Sequence, residues 1–194
     1  MLQRKTFNII LSGVGGQGII TLLQILAEAA FIENYDVKSS ELHGLSQRGG
    51  SVLAHLRFGE KVFSPLVKSA DADLILSLEI TEGARAISFA NSETIFLIDK
   101  KYIAFENSLA ENKILKQLEK IIKRQKLYLV NASQICREKL NKEITASIYL
   151  LGFAVCKNLI PLKSKSVLSA IKKIIPAQHQ DINIKTFNLA MELN

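Results

Sequence analysis

The sequence has few of the residues that would announce a self-sufficient catalyst or a membrane protein: two cysteines, three prolines, no tryptophan, and no long unbroken apolar run. Cys136 and Cys156 stand far apart, each without a second cysteine nearby. Neither CxxC nor metal-ligand spacing exists, and four-cysteine cluster ligation within this chain is excluded. Cys156 sits in an apolar helical pattern (Leu150, Leu151, Phe153, Ala154, Val155) and reads as a buried structural thiol, in keeping with a reducing, cytoplasmic location. Lys, Glu, Asn or Gln interrupts every apolar stretch before the roughly 18 residues that a bilayer-spanning helix needs, so no membrane role is expected. Met1 to Thr6 carries two cations, but the apolar residues behind them run straight into glycines without a small-residue cleavage site, and no export signal is read there. There is no Pro/Gly/Ser-rich linker, repeat or low-complexity segment, so residues 1–194 are expected to form a single domain.

Charge is present in excess, with 25 Lys and Arg against 18 Asp and Glu, a formal net charge of +7. Much of it lies in Lys113, Lys116, Lys120, Lys123, Arg124 and Lys126, interleaved with Ile114, Leu115, Leu118, Ile121 and Ile122 at helical spacing. That pattern is a solvated helix face. Without an aromatic stacking motif or a recognisable nucleic-acid module beside it, no nucleic-acid partner is expected.

Ile-, Leu- and Val-rich runs alternate with stretches of helical period, which predicts an α/β fold: a doubly wound, mostly parallel sheet flanked by helices, with a mainly helical C-terminal part. The expected strands are Phe7 to Ser12, Asp36 to Ser40, Ser51 to Phe58, Leu74 to Leu78, Thr94 to Ile98 and Leu127 to Val130. Ser51 to Phe58 sets Val52, Ala54, Leu56 and Phe58 against Leu53, His55 and Arg57, a strand with one wetter face that suits an antiparallel edge. Helices are expected over Gly18 to Asn34, Thr81 to Ala90, the basic stretch, Ile144 to Leu159 ended by Pro161, a segment starting at Ser164 or Ser166, and Asp181 to Leu193. Asn131 to Ser133 stands where a further helix would be capped.

Two loops carry chemistry. Gly13-Val14-Gly15-Gly16-Gln17-Gly18 comes straight after a strand and straight before a helix, the context in which a G-x-G-x-x-G turn has meaning. Glycine admits positive φ and close backbone approach, and the first N–H groups of the helix face an incoming phosphate or carboxylate. Gln17 adds a neutral amide donor. The second loop, Glu41-Leu42-His43-Gly44-Leu45-Ser46-Gln47-Arg48-Gly49-Gly50-Ser51-Val52, gathers a carboxylate, an imidazole, a hydroxyl, an amide and a guanidinium between two strands. Arg48 is suited to bidentate capture of a phosphate or carboxylate, with Gly49 and Gly50 leaving room beside it. The two loops follow strands one and two and should be neighbours, and Glu79, at the end of the fourth strand, is expected to line the same mouth. Glu41 is also where a dinucleotide fold would hold ribose hydroxyls, which keeps an independent NAD(P)-dependent oxidoreductase open as the alternative. No Gly-Lys-Ser or Gly-Lys-Thr follows the glycines, as a Walker phosphate loop requires, and no Ser/His/Asp or Cys/His set assembles. No catalytic residue and no metal ligand is assigned.

The pairing of Gly-Val-Gly-Gly-Gln-Gly-Ile with His-Gly-Leu-Ser-Gln-Arg-Gly-Gly-Ser-Val resembles the gamma-type subunit or domain of pyruvate, ketoisovalerate and other 2-oxoacid:ferredoxin oxidoreductases. The His-Gly-Leu-Ser-Gln-Arg wording is most similar to the beta subunit of the indolepyruvate enzymes. The likeness covers residues 6 to about 100, continuing through Asp73-Leu74-Ile75-Leu76-Ser77-Leu78-Glu79, and loosens beyond. It implies a subunit, inactive alone, of a complex that oxidatively decarboxylates a 2-oxoacid, such as indolepyruvate or another aryl-pyruvate, to an acyl-CoA with electrons passed to ferredoxin. It further implies coenzyme A as co-substrate beside this chain, with thiamine diphosphate, magnesium and 4Fe–4S clusters in partner subunits. The residues matching its site are Gly13, Val14, Gly15, Gly16, Gln17, Gly18, His43, Ser46, Gln47, Arg48, Gly49 and Glu79.

Overall fold

The computed structural model describes residues 6–43, 49–105 and 108–193, His43 by its backbone alone. The chain runs β1 (Phe7–Val14), α1 (Ile19–Ile32), β2 (Asp36–His43), β3 (Ser51–Gly59), β4 (Ala72–Ser77), α2 (Ile80–Arg85), β5 (Ala90–Asp99), α3 (Glu111–Ile121), β6 (Leu127–Val130), α4 (Ala132–Leu140), α5 (Ala146–Cys156), α6 (Ser164–Ile174) and α7 (Ala177–Leu193). The strands form one sheet in the order β2-β3-β1-β4-β5-β6. β1, β4, β5 and β6 pair in parallel, while β3 runs antiparallel to both β1 and β2.

Successive side chains of a strand point to opposite faces, and β1 shows why its sequence is apolar throughout. Ile9 and Leu11 join a core with α1, α5, α6 and α7, while Ile10 joins a second, smaller one with α2 and α3. A strand covered on both faces has no polar side to show, hence the near-continuous hydrophobic runs of β1, β4 and the end of β5. α5 is the extreme case: Ala146 to Val155 are all buried, because the helix lies between the sheet and α7. In α3, by contrast, only Ile114 and Leu118 are buried, and Lys113, Lys116 and Lys120 stand in solvent.

The doubly wound α/β architecture agrees with expectation, and three particulars differ. β3 is antiparallel but internal, inserted between β1 and β2. Its second face is not wet: segment 60–71 folds over it, Val67 donates its N–H to His55 Nδ1 at 3.1 Å, and Arg57 Nε donates to Asn8 Oδ1 at 2.8 Å. Cys156 is only partly buried and Cys136 is the enclosed thiol, its pKa pushed up to about 11 by burial. Finally, Asn131 precedes α4 without a side-chain cap bond, because the cap comes from elsewhere.

Candidate functional site

The carboxyl ends of β1, β4, β5 and β6 open on a single edge of the sheet, where ligands of open α/β sheets are held. At the end of β1 the chain turns through Gly15, Gly16, Gln17 and Gly18 into α1. Gly16 (φ +102°) and Gly18 (φ +85°) both lie in the left-handed region, which a side chain would strain. Gly18 occupies the N-cap position with no side chain bonded to the first-turn N–H groups, and that turn contains no carboxylate. A Cβ on Gly16 would touch nothing within 4 Å, so the backbone there faces open space.

Gln17 folds inward. Its Oε1 accepts from Val14 N at 2.7 Å and its Nε2 donates to Leu78 O at 2.8 Å, joining the ends of β1 and β4. The amide expected to point at a ligand is therefore a brace for the turn. Its signal in the sequence was position alone, and the partner lies 61 residues away.

The second loop does approach the first. Gly15 N donates to Gly50 O at 2.8 Å and Gly49 N to Gly15 O at 3.4 Å. The reason is the internal place of β3, which pairs Val14 with Ser51 and so delivers residues 49–50 to the glycine turn. Ser46, Gln47 and Arg48 lie outside the described residues, as does the side chain of His43, whose backbone ends β2. On the far side of the loop, Ser51 Oγ donates to Glu82 Oε2 at 2.5 Å.

Glu79 does not present a carboxylate to the mouth. It is 0% exposed and caps α2, Oε2 accepting from Glu82 N at 2.9 Å and Oε1 from Thr81 Oγ1 and Ile103 N at 3.1 and 3.2 Å. Burial raises its pKa against the pull of those donors. It fixes the loop after β4 and leaves no oxygen pointing outward without a partner.

The crevice itself, about 230 Å³, runs from Gly16, Gln17 and Leu78 to Asp99, Lys101, Ser133, Glu143 and Ile144. Asp99 stands at the end of β5 and Lys101 just after it, Ser133 in α4 just after β6, and Glu143 and Ile144 after α4, and none of them carries a motif. Asp99, buried at the end of β5, accepts from both the N–H and the hydroxyl of Ser133, and so supplies the cap that Asn131 does not. Burial raises its pKa, opposed by those bonds and by Lys101. Lys101 Nζ donates to Glu143 Oε1 at 2.5 Å and holds that carboxyl below its usual range. Among the described residues the crevice contains no histidine or cysteine, and no group of three or more His, Cys, Asp or Glu is gathered to hold a metal. Among the described residues the crevice has no paired nucleophile and base.

Comparison with known proteins decides the family. The model of the pyruvate ferredoxin/flavodoxin oxidoreductase family matches residues 8–193. The chain belongs to that family. It is 32% identical to the indolepyruvate oxidoreductase subunit IorB of Pyrococcus horikoshii, over 97% of this chain and 96% of that one. It is 31% identical to the common gamma subunit of the pyruvate/ketoisovalerate oxidoreductases of Pyrococcus abyssi, over 93% and 92%. In fold it is similar to the pyruvate oxidoreductase subunit PORC of Thermotoga maritima (TM-score 0.70, 21% identity, 97% of this chain and 96% of that one). It also matches 31% of a chain of the 2-oxoglutarate:ferredoxin oxidoreductase of Magnetococcus marinus, a structure with 2-oxoglutarate, coenzyme A and succinyl-CoA bound (TM-score 0.74, 15% identity, 97% of this chain). The dinucleotide alternative is not favoured by these matches. Geometry agrees: Glu41 sits on β2, and β3 intervenes, about 10 Å of sheet between β2 and the glycine turn's own strand. A ribose-holding acid belongs on the strand beside β1.

Proposed function

We propose that this chain is a non-autonomous subunit of a 2-oxoacid:ferredoxin oxidoreductase, and that its glycine turn holds an anionic group of coenzyme A. In that complex a 2-oxoacid is oxidatively decarboxylated to an acyl-CoA, thiamine diphosphate, magnesium and 4Fe–4S clusters are carried by partner subunits, and ferredoxin takes the electrons. Full-length similarity to indolepyruvate oxidoreductase subunits supports an aryl-substituted 2-oxoacid and a soluble, cytoplasmic assembly.

The observation that carries the reading is the start of α1, without a side-chain cap, behind a turn whose Gly16 borders a crevice with no nucleophile–base pair among the described residues. Main-chain N–H groups at a helix start whose first turn contains no carboxylate fit a phosphate of the co-substrate. Gly13, Val14 and Gln17 hold the turn in shape. Gly15 is tied to Gly49 and Gly50 of the second loop, Gly16 and Gly18 offer backbone to the ligand, and His43, Ser46, Gln47, Arg48 and Gly49 are assigned to the same site by their sequence alone. Glu79 contributes by anchoring α2. The purified chain alone should oxidise no 2-oxoacid and should restore coenzyme A-dependent reduction of ferredoxin when mixed with the thiamine- and cluster-bearing subunits. Turnover by the isolated chain would sink the proposal.

A further inference from the structure

The crevice behind the glycine turn has a neighbour. A second hollow of about 270 Å³ is lined by Lys100, Tyr102, Asn131, Gln134 and Arg137. It shares four residues with the first, namely Asp99, Lys101, Ser133 and Glu143. Their shared wall carries the ion pair between Lys101 and Glu143, a bar to which Arg137 adds a longer contact, Nη1 to Glu143 Oε2 at 3.6 Å.

The roots of this bar are fixed while its tips are free to exchange partners. Lys101 is held by its backbone, its carbonyl accepting from Ile80 N at 3.0 Å, and Lys100 N donates to Val130 O at 2.8 Å. The side chains of Lys101 and Glu143 are each about one-third exposed, and that of Arg137 is 63% exposed. Ion pairs so placed in contact with water are weak, so little is lost when one partner is replaced by a stronger anion. Lys100, Lys101 and Arg137 gather three cations around the far hollow, and Glu143 is the carboxylate that Lys101 and Arg137 share.

We propose that the two hollows are one ligand channel, in which a second phosphate of the ligand displaces Glu143 from Lys101 and Arg137 while the first rests on the glycine turn. The inference rests on the coenzyme A reading and deepens it: the diphosphate belongs at the turn and the 3′-phosphate at Lys101 and Arg137. Glu143 is then a placeholder that offsets part of the positive charge of that compartment until the ligand arrives. Arg137, with its planar fork of donors, suits a phosphate better than it suits the single distant oxygen it now faces.

Calorimetric titration of the reconstituted complex with coenzyme A and with dephospho-coenzyme A, which lacks the 3′-phosphate, tests this without recourse to turnover. The complex should bind coenzyme A about tenfold more tightly than dephospho-coenzyme A, the worth of a charge-assisted contact. Lys101→Met should erase that preference and leave dephospho-coenzyme A binding unchanged. Glu143→Gln should do the opposite, tightening coenzyme A severalfold by removing the competitor. Arg137→Met should act as Lys101→Met does, and thermal unfolding of each variant checks that it is folded. If the bar merely pins the 143–145 turn to the sheet, Lys101→Met and Glu143→Gln will weaken both ligands alike, and the inference is overturned with the coenzyme A reading intact. Absence of binding by either nucleotide would overturn both.

Discussion

Replacing Gln17 with alanine removes two hydrogen bonds and one brace. Val14 N loses its acceptor at 2.7 Å and Leu78 O its donor at 2.8 Å, and Val14 is only 4% exposed, so water cannot readily restore its bond. Each intramolecular hydrogen bond contributes about 1 kcal/mol net, and stranding a buried N–H costs about 1–3 kcal/mol. The expected loss is therefore about 2–4 kcal/mol, a drop in Tm of roughly 5–12 °C for a domain of this size. Gln17→Glu sharpens the test, since it keeps an acceptor for Val14 N but sets an anionic oxygen against Leu78 O. It should be no milder than the alanine variant at neutral pH. With no tryptophan in the chain, unfolding in urea is best followed by circular dichroism of the helices. A destabilisation below about 0.5 kcal/mol in Gln17→Ala would refute the view that this side chain braces the turn.

Two further expectations follow from buried contacts. Gly152→Ala would place a methyl 2.7 Å from Phe187 O and 2.8 Å from Ala190 Cβ, driving α5 and α7 apart. It should cost about 1–3 kcal/mol by thermal melt, although the same change in an unhindered helix interior gains up to about 1 kcal/mol; a stabilised variant would contradict the packing. His55 is 3% exposed, Nδ1 accepts from Val67 N, and burial holds its pKa below the ordinary 6.5. A lowered pKa means that the unfolded chain takes the proton first, so the stability this residue contributes is present above about pH 6.5 and is lost as pH falls towards the folded value. Stability should decline on that limb and the decline should flatten in His55→Gln, with an imidazole titration at or above pH 6.5 in the folded protein counting against it.

The site was half legible. The glycine turn declared itself because it needs residue types that are rare together and sit between a strand and a helix, and the loop at 41–52 did so by density of polar groups. The internal position of β3 was hidden by its own alternation. His55 and Arg57 look like a wet face, yet His55 Nδ1 is met by Val67 and Arg57 by Asn8 and Ser64 under a covering segment, and periodicity cannot tell water from backbone as a partner. Glu79 was correctly placed at a strand end, but its role as a cap depends on where Ile103 returns. Asp99, Lys101, Ser133 and Glu143 meet only after separations of 34 and 42 residues, which no local pattern encodes.

β2 and β3 are adjacent and antiparallel, paired along their length from Asp36 with Gly59 to His43 with Val52. A hairpin tip can be lengthened, shortened or rewritten without altering the register of the strands that carry it. The glycine turn has no such latitude, since it is the only route from β1 into α1. The same end of the sheet thus joins a connection that must stay constant to a strand pair whose register does not depend on the sequence that links it.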